Sequence, residues 1–103
     1  MFQLETISPK MLDYYVDRRD SLIIDLRPEE EYAVSHVRNA ISVPYDTLDE
    51  WETFPRGKIL VFYCDRGGAS MLAAKKYMKL GYRVRSVIGG FLAYHGRNLV
   101  ISA

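Results

Sequence analysis

The run "ILVFY", residues 59–63, restricts the fold more than any other stretch of the chain. Five consecutive apolar residues of β-forming type, without the alternation of a strand that keeps one wet face, read as a central strand covered on both sides. Such a strand belongs to a parallel sheet with helices on both faces. The segment that follows agrees. After Cys64 and the loop "DRGGA", "SMLAAKKYMKLGY" sets Met71, Ala74 and Met78, with Leu72 and Tyr77, at helical spacing, and Gly81 stands where that helix would end. "RVRSVIGG" returns as a strand through Val84, Val87 and Ile88, completing a βαβ unit whose crossover should be right-handed.

The first half repeats the alternation of strand and helix. "FQLETI" supplies a short strand, Ser8 and Pro9 open a helix expected over Pro9 to Asp17, and Met11, Leu12, Tyr15 and Val16 share its apolar face. "SLIIDLR", Ser21 to Arg27, reads as a second doubly covered strand, with Asp25 and Arg27 at the sheet's carboxyl edge. Pro28 and the acidic turn Glu29 to Glu31 begin a short helix, "AISVP" is a strand stopped by Pro44, and Asp46 is placed to cap a helix over "DTLDEWETF". "FLAYHGRNL" reads as a short helix or irregular segment. No repeat, linker or low-complexity stretch intervenes, so residues 1–103 are expected to form one α/β domain.

Composition excludes several function classes. A chain of 103 residues, 49% hydrophobic and 26% charged, can bury one modest core. Its net charge is +1 and its basic residues are scattered, so neither nucleic acid nor a membrane surface is an expected partner. No apolar stretch approaches the ~18 residues of a membrane span, and "MFQLETISPK" lacks the layout of a signal peptide; a soluble cytoplasmic protein is expected. The single cysteine rules out an internal disulfide and every CxxC motif.

Cys64 is therefore either a small buried hydrophobe or the centre of its loop's chemistry. Ligands of parallel α/β sheets bind beyond the carboxyl ends of the strands, which is where Cys64 falls, just ahead of a helix expected to start near Ser70. Helix N-termini stabilise anions through unpaired N–H groups, and Gly67 and Gly68 let further amides curl around one centre. A sulfur so placed is expected to face solvent and to react as a thiolate near neutral pH.

These residues carry a family resemblance. "YCDRGGASMLAAKKYMKLGY" followed by "VRSVIGGFLAY" resembles the active-site loop, following helix and last strand of a single rhodanese domain, with its C-x-x-G-x-x-S pattern and its "GG" before an aromatic segment. "IIDLRPEEEYAVSHVRNAISVP" is similar to the family's aspartate-x-arginine strand and its E-[YF]-x-x-G-H-I-x-G-A-x-N-x-P segment, with Ser35 and Asn39 in place of glycines. The resemblance covers nearly the whole chain. It implies a three-layer domain with a mostly parallel five-stranded sheet flanked by helices, and sulfane-sulfur transfer through a cysteine persulfide.

The resemblance implies Cys64 as the catalytic residue, with Asp65, Arg66, Gly67, Gly68, Ala69 and Ser70 around the substrate. Asp25 and Arg27 would support the loop through an ion pair. The thiolate would attack the outer sulfur of a donor such as thiosulfate, and a thiol or cyanide would accept it from the persulfide. Loop amides from Arg66 to Ser70 would hold the terminal sulfur, with the Ser70 hydroxyl either donating to it or capping the helix. Many thiosulfate-using members carry a cation where this chain has Ala69; here the loop's cation is Arg66. Phosphatases of this fold need arginine where Ser70 stands, which argues against phosphoryl chemistry. His36 is expected to be scaffold and His95 exposed, while Phe91 and Tyr94 are candidates for an apolar pocket wall; Trp51 and the other tyrosines read as packing. Two distant histidines and one cysteine make a poor metal set, and no cofactor is called for. The expected partners are a small sulfur donor and a thiol acceptor, with a persulfide-donating protein as a further candidate. Two other readings stand beside the enzyme: a persulfide carrier or interaction module with little turnover on thiosulfate, and a regulatory domain, though the latter often lack the cysteine.

Overall fold

The apolar runs become parallel strands, and the segments between them fold back over the sheet as helices. A computed structural model describes residues 3–50 and 54–102. Strands β1 (Gln3–Ile7), β2 (Ser21–Asp25), β4 (Ile41–Ser42), β5 (Ile59–Tyr63) and β6 (Arg83–Val87) form one five-stranded sheet in the order β1-β6-β5-β2-β4. Every pairing in it is parallel, so β5 lies at the centre, as its composition requires. Helices α1 (Leu12–Tyr15), α2 (Glu29–Val34) and α3 (Gly68–Lys79) connect the strands. None of the described helices is long and apolar enough to cross a membrane.

Alternation along the central strands divides the core in two. Ile24, Leu60, Phe62 and Val84 face the layer of α3, where Ala73, Ala74 and Tyr77 meet them. Ile23, Ile59, Val61, Tyr63 and Val87 face the other layer, where Leu12, Tyr15 and Val16 wait. Cys64 continues the register of Leu60 and Phe62 and joins the α3 side.

Several expectations change. The first helix is a 3-10 turn over Pro9–Met11 followed by only four α-helical residues, and Met11 stays exposed. The second strand stops at Asp25, because Arg27 turns back to bond it, and the last strand of the sheet stops at Val87, leaving Ile88 exposed. Asp46 caps no helix among the described residues: it lies within a 3-10 helix over Tyr45–Glu50, whose turn is closed by Thr47 bonding Pro44. The rest of that expected helix, with Trp51, lies outside the described residues. Helix α3 begins at Gly68, two residues before the expected start, and buries Ser70, Ala73, Ala74 and Tyr77, while Leu72 is 58% exposed. A second sheet was not foreseen. Strands β3 (Ser35–Val37) and β7 (Leu99–Ile101) pair antiparallel and fasten the last segment to the turn after α2.

Candidate active site

The loop after β5 is organised around the sulfur of Cys64. Gly67 takes a left-handed conformation, φ 110°, as N-cap of α3, a geometry that a side chain would oppose. That turn aims two main-chain donors at one point: Gly67 N–H lies 3.1 Å and Ser70 N–H 3.4 Å from Cys64 Sγ. Main-chain N–H groups converging on a sulfur at a helix N-terminus favour an anion there. The expected solvent-facing thiol is corrected: Cys64 is only 7% exposed, because its strand register turns it toward the α3 core. It forms the floor of a cleft of about 400 Å³, walled by Leu26, Arg27 and Pro28 on one side and by Asp65, Arg66, Gly68 and Ala69 on the other. The cysteine is buried, and the loop is also built around it.

A second loop pins the first. After β6, Phe91 N–H donates to the Cys64 carbonyl (2.7 Å) and Leu92 N–H to that of Asp65 (3.1 Å). Gly90, at φ 61°, permits this approach, since a Cβ there would collide with both carbonyls. The glycine pair before the aromatic segment is thus part of the site's frame.

Asp25 and Arg27 do form their ion pair, and it is buried. Arg27 Nη2 lies 2.8 Å from Asp25 Oδ2, with Nε 3.1 Å from Oδ1, while the Arg27 N–H donates to Oδ1 at 2.9 Å. Tyr63 donates its hydroxyl to Asp25 Oδ2 (2.6 Å) and accepts from Val37 N–H (3.1 Å). Burial, reinforced by the Asp25 charge, pushes the Tyr63 hydroxyl far above its ordinary range. Burial alone would pull Arg27 down, but the hydrogen bonds and charge of Asp25 outweigh it and raise the guanidinium. Sequence reasoning missed Tyr63 as part of this site. It reads as core because its ring is core, and only its hydroxyl belongs to the network.

Arg66 is exposed on the rim of the cleft. Desolvation and the neighbouring Asp65 carboxyl raise the Glu31 carboxyl above its usual range. The Ser70 hydroxyl neither donates to sulfur nor caps the helix. It donates to the Gly67 carbonyl (3.0 Å), and so accepts from Ser86 (2.9 Å), a buried residue that no motif announced. His36 stacks on Tyr32 and bonds its carbonyl at 2.9 Å, the scaffold role expected of it. His95 is exposed, beside a different cleft. Phe91 lies under the Arg27 guanidinium, but Tyr94 is no pocket wall: it belongs to the core on the α1 side. Among the described residues, no three His, Cys, Asp or Glu side chains group as metal ligands.

Comparison with known proteins places this geometry in context. The family model described as Rhodanese-like domain matches residues 8–97. The chain is 35% identical over 95 residues to the adenylyltransferase and sulfurtransferase UBA4 of Candida albicans, covering 82% of this chain but 22% of that protein. It is 33% identical over 78 residues to the thiosulfate sulfurtransferase GlpE of Coxiella burnetii, with 74% and 73% of the two chains covered. Among solved structures, a rhodanese-like domain protein from Staphylococcus aureus superposes with a TM-score of 0.81 at 26% identity, covering 96% of this chain and 99% of that one. The chain thus spans most of the small relatives and about a fifth of the large one.

Proposed function

The chain belongs to the rhodanese-like domain family of sulfurtransferases, and from that premise we propose that residues 1–103 act as one domain that moves sulfane sulfur from a donor such as thiosulfate to a thiol or cyanide acceptor, through a persulfide on Cys64. The observation that carries the reading is the pair of N–H donors, from Gly67 and Ser70, trained on Sγ at the floor of an open cleft. In the first step the thiolate forms a bond to the outer sulfur of thiosulfate, the donor's S–S bond breaks, and its electron pair leaves with sulfite. The loop amides then hold the anionic persulfide, and the same donors offset charge as it develops. An acceptor thiolate or cyanide takes the terminal sulfur and returns Cys64 to the thiolate. Asp65, Arg66, Gly68 and Ala69 line the donor's path, and the Asp25–Arg27 pair braces the strand end beside it.

Intact mass spectrometry after incubation with thiosulfate or polysulfide tests this. Wild type should gain one sulfur atom that cyanide removes as thiocyanate, and Cys64→Ser should gain none. Failure to load from any donor would end the proposal. A second reading, the persulfide carrier, draws on Ala69, which puts no cation at its own place in the loop wall and leaves that wall with Arg66 alone. It predicts loading from a persulfidated protein and not from thiosulfate.

A further inference from the structure

We propose that Arg27, and not the loop's Arg66, is the cation that binds the anionic end of the sulfur donor, through its Nη1 group. The inference rests on the persulfide reading above and adds to it the residue that selects the donor.

Arg27 combines two properties that seldom meet in a side chain. It is only 5% exposed, and it nonetheless lines the cleft that has Cys64 as its floor. Three of its contacts hold one edge of the guanidinium: Nε on Asp25, Nη2 on Asp25, and Nη2 on the Ser35 carbonyl at 2.6 Å. Nη1 has no hydrogen-bond partner among the described residues. The one described side-chain polar atom that is both sealed and unpartnered is Ser42 Oγ, so Nη1 keeps some exposure, and Arg27 is one of the residues that line the cleft. With Nε and Nη2 so occupied, the N–H groups of Nη1 are the ones left to donate to an oxyanion.

The group is also fixed relative to the sulfur. Its carbon lies 3.8 Å from the centre of the Phe91 ring, and Phe91 N–H is bonded to the carbonyl of Cys64. Arg66 has no such frame: it is exposed, and ordering it on a substrate would cost conformational entropy. Asp25 balances the charge of Arg27, so the pair exerts little long-range attraction, and selection comes from directed hydrogen bonds at contact. The class of donor this suits has a sulfur oxyanion as its leaving group, thiosulfate or a thiosulfonate. Nη1 would hold the sulfonate oxygens and steady the electron pair as it departs with sulfite or sulfinate.

Two measurements test the assignment. In wild-type protein with nitrogen-labelled arginines, titration with sulfate, an unreactive stand-in for the leaving group, should shift the Arg27 guanidinium signals saturably. An unmoved Arg27, whether or not Arg66 responds, overturns it. The second uses Asp25→Asn/Arg27→Gln, which removes both charges together so that neither is stranded in the core. Thiosulfate loading of Cys64 should slow ~10- to 100-fold, the worth of a charge-assisted hydrogen bond, while cyanide discharge of protein preloaded with polysulfide should slow far less. Equal slowing of both steps would make Arg27 a scaffold and overturn the assignment. If wild type loads from no donor, it is the persulfide reading that fails; the sulfate titration, which needs no sulfur chemistry, tells the two failures apart.

Discussion

Asp25 and Asp13 are the hubs of two hydrogen-bond relays built to one plan. In each, a main-chain N–H donates to a tyrosine hydroxyl, and that hydroxyl donates to the aspartate at 2.6 Å: Val37 to Tyr63 to Asp25, and Asn98 to Tyr94 to Asp13. Their surroundings differ. The Asp25 relay is sealed, its counter-ion is the buried Arg27, and it ends at the cleft beside Cys64. The Asp13 relay ties the segment before β7 to α1 and continues through Asn98 and Arg38 to the exposed Asp17. Burial works to raise the Asp13 carboxyl, yet the hydrogen bonds of Tyr94 and Asn98 hold it below its usual range. The same parts therefore serve two ends: where water reaches the hub the relay closes the fold, and where it does not, the hub needs a cation, which then becomes available to a site.

The sharpest way to break this comparison is to delete each hub. Asp25→Ala strands a buried guanidinium and should lower stability by about 3–5 kcal/mol in urea unfolding, whereas Asp13→Ala, with water at hand, should cost about 1.5 kcal/mol or less; equal losses would dissolve the distinction. Removing the tyrosine hydroxyls comes next. Tyr63→Phe should cost about 1.5–3 kcal/mol because the lost partner is a buried charge, and should slow sulfur uptake, while Tyr94→Phe should cost about 1 kcal/mol and leave uptake unchanged.

A smaller effect follows from pH. Burial and then the Asp13 hydrogen bond push the Tyr94 hydroxyl up to about 12. Its folded value exceeds the unfolded value of about 10, so its contribution is complete below about 10 and is lost as pH rises toward about 12. Tyr94→Phe should flatten that part of the alkaline unfolding curve. Last, Asp17→Asn should leave the melting temperature unchanged, since its ion pair with Arg38 is exposed and screened.

The central strand was legible to the residue, because a run of five apolar β-formers between Lys58 and the loop that opens at Cys64 has one physical solution. The start of α3 was not, because Gly68 and Ala69 read as loop until the left-handed turn at Gly67 is known. The pairing of β3 with β7 left no local trace: its short segments lack periodicity, and their partners lie far apart in the chain. In the site, Cys64 and the Asp25–Arg27 pair stood out by residue type at a strand end. Tyr63 and Ser86 did not, because a hydroxyl on a core ring and a serine in a strand look like packing. The resemblance brought Gly90 into view, but only its approach to the carbonyls of Cys64 and Asp65 gives the reason for it.

The donors around the sulfur belong to the main chain, and this separates two things that enzymes often bind together. Asp65, Arg66 and Ala69 border the cleft, yet the N–H groups on Sγ come from Gly67 and Ser70 and survive any exchange of those three side chains that preserves the turn. The loop works as a fixed socket with interchangeable lips, open to diversification or redesign toward a different donor without the sulfur's seat being rebuilt.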